Sequence, residues 1–298
     1  MAIARIAGSI LMTLAFAGCA LERLHARRNF HYAGYWLARP KAALECGAEG
    51  AMSFCRYRPQ GLEEDPETTV YFLHYATGDA RSLSRLGIAN VFYRYYRKAG
   101  LRPPRLIAVS FGTHWLFSDR PGRRQIIDTG RFLSEDLPFL KKRFGDSPKQ
   151  FVWGASQGGY NALQLLFARP GAWQAAAVSC PALYIEDPFA GRFQALAART
   201  GAPKASLIDG MALFNTRLAD AKTWREEEPI ARARAATVLP PVLVQANRRD
   251  EYGFFEGAQA LSEALAPHAA GSDFAPEPGG HCVFNAEKVA AFFAKIAQ

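Results

Sequence analysis

The sequence predicts an α/β fold, a mostly parallel central sheet flanked by helices, from three observations. Short apolar, β-branched or aromatic runs alternate with helix-length segments, the pattern of a sheet covered on both faces. The 298 residues are 49% hydrophobic and 21% charged, which excludes a disordered chain, a collagen-like repeat and a small disulfide scaffold. No run of 18 or more apolar residues lies beyond the N-terminal segment, so nothing in the body of the chain is expected to span a bilayer. The formal charge of +9 is spread along the chain. No basic stripe accompanies a nucleic-acid-binding motif, and no nucleic-acid partner is expected.

The elements follow in order. Thr68–His74 reads as a buried strand ended by Thr77-Gly78-Asp79, and residues 80–98 read as one helix, weakened at Gly87. A second strand is expected over Arg105–Ser110 and an amphipathic segment over Leu133–Phe144, broken by Pro138. Gln150–Gly154 is a third strand running straight into a helix that ends near Ala168. Trp173–Ser179 and Pro241–Ala246 supply two more strands, followed by helices over Phe254–Leu265 and Ala286–Ala297. Between Pro181 and Leu239 the pattern loosens into helical pieces broken by glycine and proline. That stretch lacks the strand content for its own sheet and reads as a cap insertion.

The N-terminus is set aside before fold reasoning. Arg5 precedes an apolar stretch, Ile6–Ala17, too short to span, and Phe16-Ala17-Gly18-Cys19 puts small residues directly before a cysteine. This resembles a bacterial lipoprotein signal. The resemblance implies cleavage after residue 18 and acylation of Cys19, and two or more acyl chains anchor stably. Ala20 stands where lipoproteins retained at the inner membrane usually carry Asp, which implies the outer membrane, facing the periplasm. The other readings are an ordinary secretory signal cleaved near Ala17 or Ala20, and an uncleaved anchor.

Export changes how the cysteines read. Five are present, and lipidation of Cys19 leaves Cys46, Cys55, Cys180 and Cys282. An even remainder in an oxidising compartment implies two disulfides, with three connectivities. Cys46 and Cys55 flank Gly47 and Gly50 and suit a local closure, which leaves Cys180 and Cys282 for each other. No C-x-x-C spacing exists, so a metal site is not expected.

Gly154-Ala155-Ser156-Gln157-Gly158 is a G-x-S-x-G placed between a strand and a helix. A nucleophile elbow needs that context. The serine must stand proud of the sheet at a helix N-terminus, and the flanking glycines let backbone pass close on both sides. A hydroxyl without a base is a poor nucleophile, so an imidazole and a carboxylate are sought downstream. Two histidines follow Ser156: His268, at a helix end, and His281, in the turn Pro278-Gly279-Gly280-His281 before the last helix. His281 is the expected base. Asp250, the first acidic residue after the strand PVLVQA, is the expected acid, with Glu251 its neighbour and competitor.

The elbow with Gly159, the strand end His74-Tyr75-Ala76-Thr77-Gly78-Asp79, Asp250 and Gly279-Gly280-His281 together resemble the α/β-hydrolase esterases, over about residues 50–298. Within them the likeness is to the branch containing S-formylglutathione hydrolases, antigen-85-like acyltransferases and feruloyl or polyester hydrolases. The resemblance implies the α/β-hydrolase fold over 46–298 with a cap over about 181–239, behind a signal peptide (1–18) and a tether (19–45). It implies a serine carboxylic ester hydrolase that forms an acyl-enzyme, with Ser156, His281 and Asp250 as triad and no metal or organic cofactor. The substrate would be a small-molecule or polymeric ester. Oxyanion donors would be the N–H groups of Gln157 and Ala76, although Tyr75 stands where the family carries glycine. It also implies that Cys180 and Cys282 lie on the active-site side, where a bond would clamp the His281 loop. The alternatives are acyl transfer to another alcohol, and a non-catalytic envelope role that Tyr75 favours.

Several residues invite a role and read more simply otherwise. His114 packs or binds substrate, and Trp115, Phe117 and Tyr160 line an acyl or aryl pocket or belong to the core. Tyr93–Lys98 is a half-buried helix face, and Glu226-Glu227-Glu228 a solvated one.

Overall fold

The computed structural model describes residues 34–35, 37–117, 126–185, 187, 198–199, 201 and 221–298. Cys19, the signal-type segment and most of the expected cap lie outside the described residues. The chain order of strands is β1 (Ala42–Glu49), β2 (Met52–Pro59), β3 (Asp65–Leu73), β4 (Pro104–Ser110), β5 (Trp115–Phe117), β6 (Ile126–Asp128), β7 (Lys149–Ala155), β8 (Ala175–Ser179), β9 (Val242–Asn247) and β10 (Asp273–Glu277). Eight of them form one sheet in the order β1-β2-β4-β3-β7-β8-β9-β10, and β5 pairs with β6 separately. The β1–β2 and β2–β4 pairings are antiparallel and the others parallel. This is the mostly parallel α/β sheet the sequence predicts.

Both faces are buried, which is why the central strands read as continuous apolar runs. Along β7, Val152 packs into the core beneath the helices Leu137–Phe144, Gln157–Ala168 and Phe255–Leu265. Its neighbours Phe151 and Trp153 point to the opposite core, under Ile88–Ala99 and Ala286–Ala297. Trp153 meets Phe72 at 4.9 Å and Phe284 at 5.8 Å, both edge-on. Each such side chain contributes roughly 1.5–3 kcal/mol through burial.

The structure corrects the expected elements in three places. Residues 80–98 are two helices, Ser82–Arg85 and Ile88–Ala99, because Gly87 takes φ 67° between them, a conformation glycine adopts without penalty. Pro138 does not break its segment. A π turn, Phe132–Asp136, leads into Leu137–Phe144, with Pro138 in the first turn, and the wider winding relieves the clash of a proline ring with the preceding carbonyl. Three sheet strands carry no clear signal in the sequence. β1 is largely exposed and has no apolar alternation; it is held by its antiparallel register to β2, in which Cys46 faces Cys55 and is bonded to it. The arginines of β2 mask its inward residues Met52, Phe54 and Tyr57. β10 contains Pro276, tolerated on an edge strand.

Glu226-Glu227-Glu228 is corrected as well. Glu226 is solvent-facing beside Lys222, but Glu227 and Glu228 are buried. Glu228 caps the helix Pro229–Ala235, accepting from Ile230 N (2.9 Å) and Ala231 N (2.7 Å). Burial raises its carboxyl pKa, opposed by those two amides. The Glu227 carbonyl accepts from Tyr160 Oη and Gln164 Nε2, and its carboxylate pairs with Arg232 at 3.0 Å. These contacts seat residues 227–232 on the helix that follows Ser156.

Candidate active site

β7 delivers Ser156 at the carboxyl edge of the sheet, where ligands meet this class of fold. Its backbone is strained, with φ 54° and ψ −116°, and Gln157 opens the next helix directly. Local sequence makes the turn possible. A Cβ at Gly154 would stand 1.9 Å from Gly158 O, and one at Gly158 would stand 2.0 Å from Leu73 O. Glycine is required at both. Ser156 N donates to Ser179 O at 2.9 Å and Ser156 O accepts from Ala182 N at 3.1 Å, so the turn is bonded on both sides.

The strand β9 ends in a turn that presents Asp250, whose N–H donates to Asn247 O and whose Oδ1 accepts from Tyr252 N at 2.9 Å. β10 leads to Gly279, at φ 108°, and on to His281. The two segments meet Ser156. Ser156 Oγ lies 2.8 Å from His281 Nε2, and His281 Nδ1 lies 2.6 Å from Asp250 Oδ2. All three residues are only 6–7% exposed. A carboxylate accepts and does not donate, so Nδ1 carries the ring proton and Nε2 faces the hydroxyl as an acceptor. The structure therefore places Asp250 on the imidazole. Glu251 has a different part: its Oε2 accepts from His281 N at 2.6 Å, and its carboxylate lies over Gly280, where a Cβ would stand 2.1 Å from Oε1.

The histidine loop is fixed from below by the Cys180–Cys282 disulfide. Both cysteines hold left-handed backbone, at φ 47° and 60°, which costs about 1–2 kcal/mol each. A ring nitrogen of His281 lies within 4.8 Å of both sulfurs. As a cystine these sulfurs offer no thiolate, and among the described residues no other three His, Cys, Asp or Glu donors converge in this way. Tyr252 and Phe254 flank the imidazole, with ring centroids 4.8 and 5.3 Å away.

On the other side, β3 ends at a loop in which His74 and Tyr75 precede Ala76. His74 Nδ1 lies 2.7 Å from Tyr75 O, and its Nε2 lies 2.6 Å from Ser110 Oγ. A carbonyl only accepts, so Nδ1 carries the proton and Nε2 accepts from the Ser110 hydroxyl. Burial lowers the His74 pKa, opposed by the Tyr75 carbonyl, which favours the neutral ring. Gln157, the first residue of its helix, has a backbone N–H with no intrahelical acceptor. Its side chain donates to Thr113 O and His114 O, both at 2.9 Å.

The remaining candidates divide clearly. Trp115 and Tyr160 are core residues packed edge-on at 5.0 Å, and the Phe117 side chain lies outside the described residues. His114 is half-buried; its Nδ1 bonds Phe111 O, and it borders a cavity of about 10 Å³ with His74, Gln157 and Asn161. His268 follows the helix Phe255–Leu265, and its carbonyl accepts from Leu239 N. Neither Glu251 nor the His74–Ser110 pair could be assigned from the sequence, because each acts through a partner 30 or more residues away.

One prediction arises from the Glu251 contact. Glu251→Ala would remove the carboxylate acceptor of the His281 N–H, a loss of about 1–3 kcal/mol, read as a lowered urea midpoint. Glu251→Gln, which keeps an acceptor oxygen, should recover most of it.

The sheet order and the strand–serine–helix turn define the α/β-hydrolase fold. Similar solved structures share that fold. An ester hydrolase from the metagenome of Lake Arreo, complexed with a bipyridine phosphonate derivative, is 18% identical with a TM-score of 0.62, covering 92% of this chain and 90% of its own. An esterase of the bacterial hormone-sensitive lipase family is 15% identical with a TM-score of 0.61, covering 90% and 89%. An S-formylglutathione hydrolase from Agrobacterium tumefaciens is 15% identical with a TM-score of 0.53, covering 85% and 92%. No curated protein matches in sequence. The family model described as "Putative esterase" matches residues 56–263. The chain belongs to this esterase family and is an ester-hydrolysing enzyme.

Proposed function

We propose that the protein is a serine carboxylic ester hydrolase working through an acyl-enzyme, tethered by a lipidated Cys19 to the outer membrane and facing the periplasm. The observation that carries the mechanism is the unbroken chain from Ser156 Oγ through His281 to Asp250, at 2.8 and 2.6 Å. Ser156 Oγ attacks the ester carbonyl carbon while His281 Nε2 takes its proton. Asp250 stabilises the imidazolium that forms. The carbonyl oxygen, now an oxyanion, is held by the N–H groups of Gln157 and Ala76, aided by the positive end of the Gln157–Ala168 helix. Collapse expels the alcohol, which leaves with the proton from His281. Water then attacks the acyl-enzyme with His281 again as base, releasing the acid and restoring the hydroxyl.

The test is pre-steady-state kinetics with p-nitrophenyl esters on the purified chain. A burst of p-nitrophenol close to one per enzyme is expected, followed by slower turnover. No release of p-nitrophenol would contradict the reading. For the anchor, which the Phe16-Ala17-Gly18-Cys19 sequence supports, radiolabelled palmitate should be incorporated in vivo and lost in Cys19→Ser. Equal incorporation by that variant would contradict lipidation at this residue.

A further inference from the structure

Resting on the serine-hydrolase reading, we propose that His74 and Ser110 are positioning residues for the oxyanion site, clasping the Tyr75–Ala76 peptide so that the Ala76 N–H faces the reacting carbonyl. Tyr75 C=O and Ala76 N–H belong to one planar unit. The peptide is trans, since among the described residues only Arg39–Pro40 is cis, so these two groups point in opposite directions. Fixing the carbonyl therefore fixes the amide.

The carbonyl is fixed twice. Tyr75 O accepts from His74 Nδ1–H at 2.7 Å and from Gly78 N at 2.8 Å. The imidazole is in turn held at its far nitrogen by the Ser110 hydroxyl at 2.6 Å, and Ser110 Oγ accepts from Gly112 N at 3.1 Å. Both side chains are buried. Two glycines make room for this arrangement. Gly78 would bring a Cβ 3.0 Å from His74 Nδ1, and Gly158 sits directly under the carbonyls of Leu73 and His74. The β3 end and the elbow helix thus share one seat.

The same stretch of chain after β4 reaches the other donor. Ser110 and Gly112 serve His74, while the carbonyls of Thr113 and His114 receive the Gln157 side chain. Residues 110–114 therefore tie together the two segments that carry the oxyanion amides. This answers the objection raised by Tyr75. A residue with a Cβ has fewer backbone conformations than glycine, and two hydrogen bonds to its carbonyl select one of them.

The test separates the two nitrogens of His74. Asn places an amide nitrogen near the Nδ1 position and can keep the bond to Tyr75 O; Gln reaches toward Ser110 and gives that bond up. His74→Gln is expected to lower kcat about 10- to 100-fold, as befits a displaced oxyanion donor, with KM within twofold. His74→Asn should stay within about threefold of wild type, and Ser110→Ala should fall between them. Affinity for an aryl boronic acid, which forms a tetrahedral adduct on serine, should drop in step with kcat. Wild-type kcat in His74→Gln, or equal losses in Asn and Gln variants, would overturn the proposal. Should the His74 variants not fold, Ser110→Ala decides alone: unchanged kcat and boronate affinity overturn it, and a matched fall in both supports it. Absence of any ester turnover by wild type would instead remove the serine-hydrolase reading on which it rests.

Discussion

Ser156→Ala is expected to lower kcat by about 10⁶-fold on p-nitrophenyl esters, with the melting temperature close to wild type. The size follows from the proposed mechanism, in which the three groups act as one. Without the Oγ there is no atom for His281 to deprotonate, and the imidazole 2.8 Å away has nothing to activate except water. What remains is the oxyanion site and substrate binding, worth about 10³–10⁴ over the uncatalysed reaction. Alanine fits the same backbone seat as serine, because the turn is held by Ser156 N and O, by Gly154 and by Gly158 rather than by the hydroxyl. On the proposed mechanism the residues work as a unit, so adding His281→Ala to Ser156→Ala should cost little more. A multiplicative further loss would mean that the imidazole acts independently of the serine.

Removing the Cys180–Cys282 bond, by Cys180→Ala with Cys282→Ala, is expected to destabilise the protein by about 4–5 kcal/mol on a chain-entropy basis. The bond links positions 102 residues apart, whereas Cys46–Cys55 spans 9. Loss of the shorter one should cost below about 3 kcal/mol. Paired urea titrations of the two double variants measure the difference; equal costs would contradict it. On the proposed mechanism the longer link also bears on activity, because Cys282 follows His281 and the loop otherwise pivots on Gly279 and Gly280. The Cys180/Cys282 variant should therefore lose kcat at temperatures where it is still folded, and the Cys46/Cys55 variant should not. The latter bond lies in the β1–β2 hairpin at the far edge of the sheet.

Much of this site was legible in the sequence because its parts are local or ordered along the chain. A strand, a G-x-S-x-G and a helix are contiguous, and the order Ser156, Asp250, His281 points to the loops that follow β9 and β10. Asp250 is preferred to Glu251 in the sequence only as the first acidic residue after its strand, and the structure shows that both reach His281, one at the ring and one at the backbone. The edges of the sheet were illegible for a physical reason. β1 and β10 bury too little to show a period, and what fixes them is pairing with β2 and β9. Glu227 and Glu228 look like solvated charges in sequence, yet one lends its carbonyl to Tyr160 and Gln164 and the other caps a helix. Contacts of that kind depend on which distant segment folds alongside. His74 and Ser110, 36 residues apart, belong to the same category.

The central claim is that Ser156 is the nucleophile activated by His281 and Asp250. Its most direct measurement is mass mapping of the full chain after reaction with a fluorophosphonate. One adduct per molecule is expected, on the peptide carrying Ser156, with labelling slowed at least 100-fold in His281→Ala. An adduct on another residue, or ester turnover that persists with Ser156 unlabelled, would contradict the account.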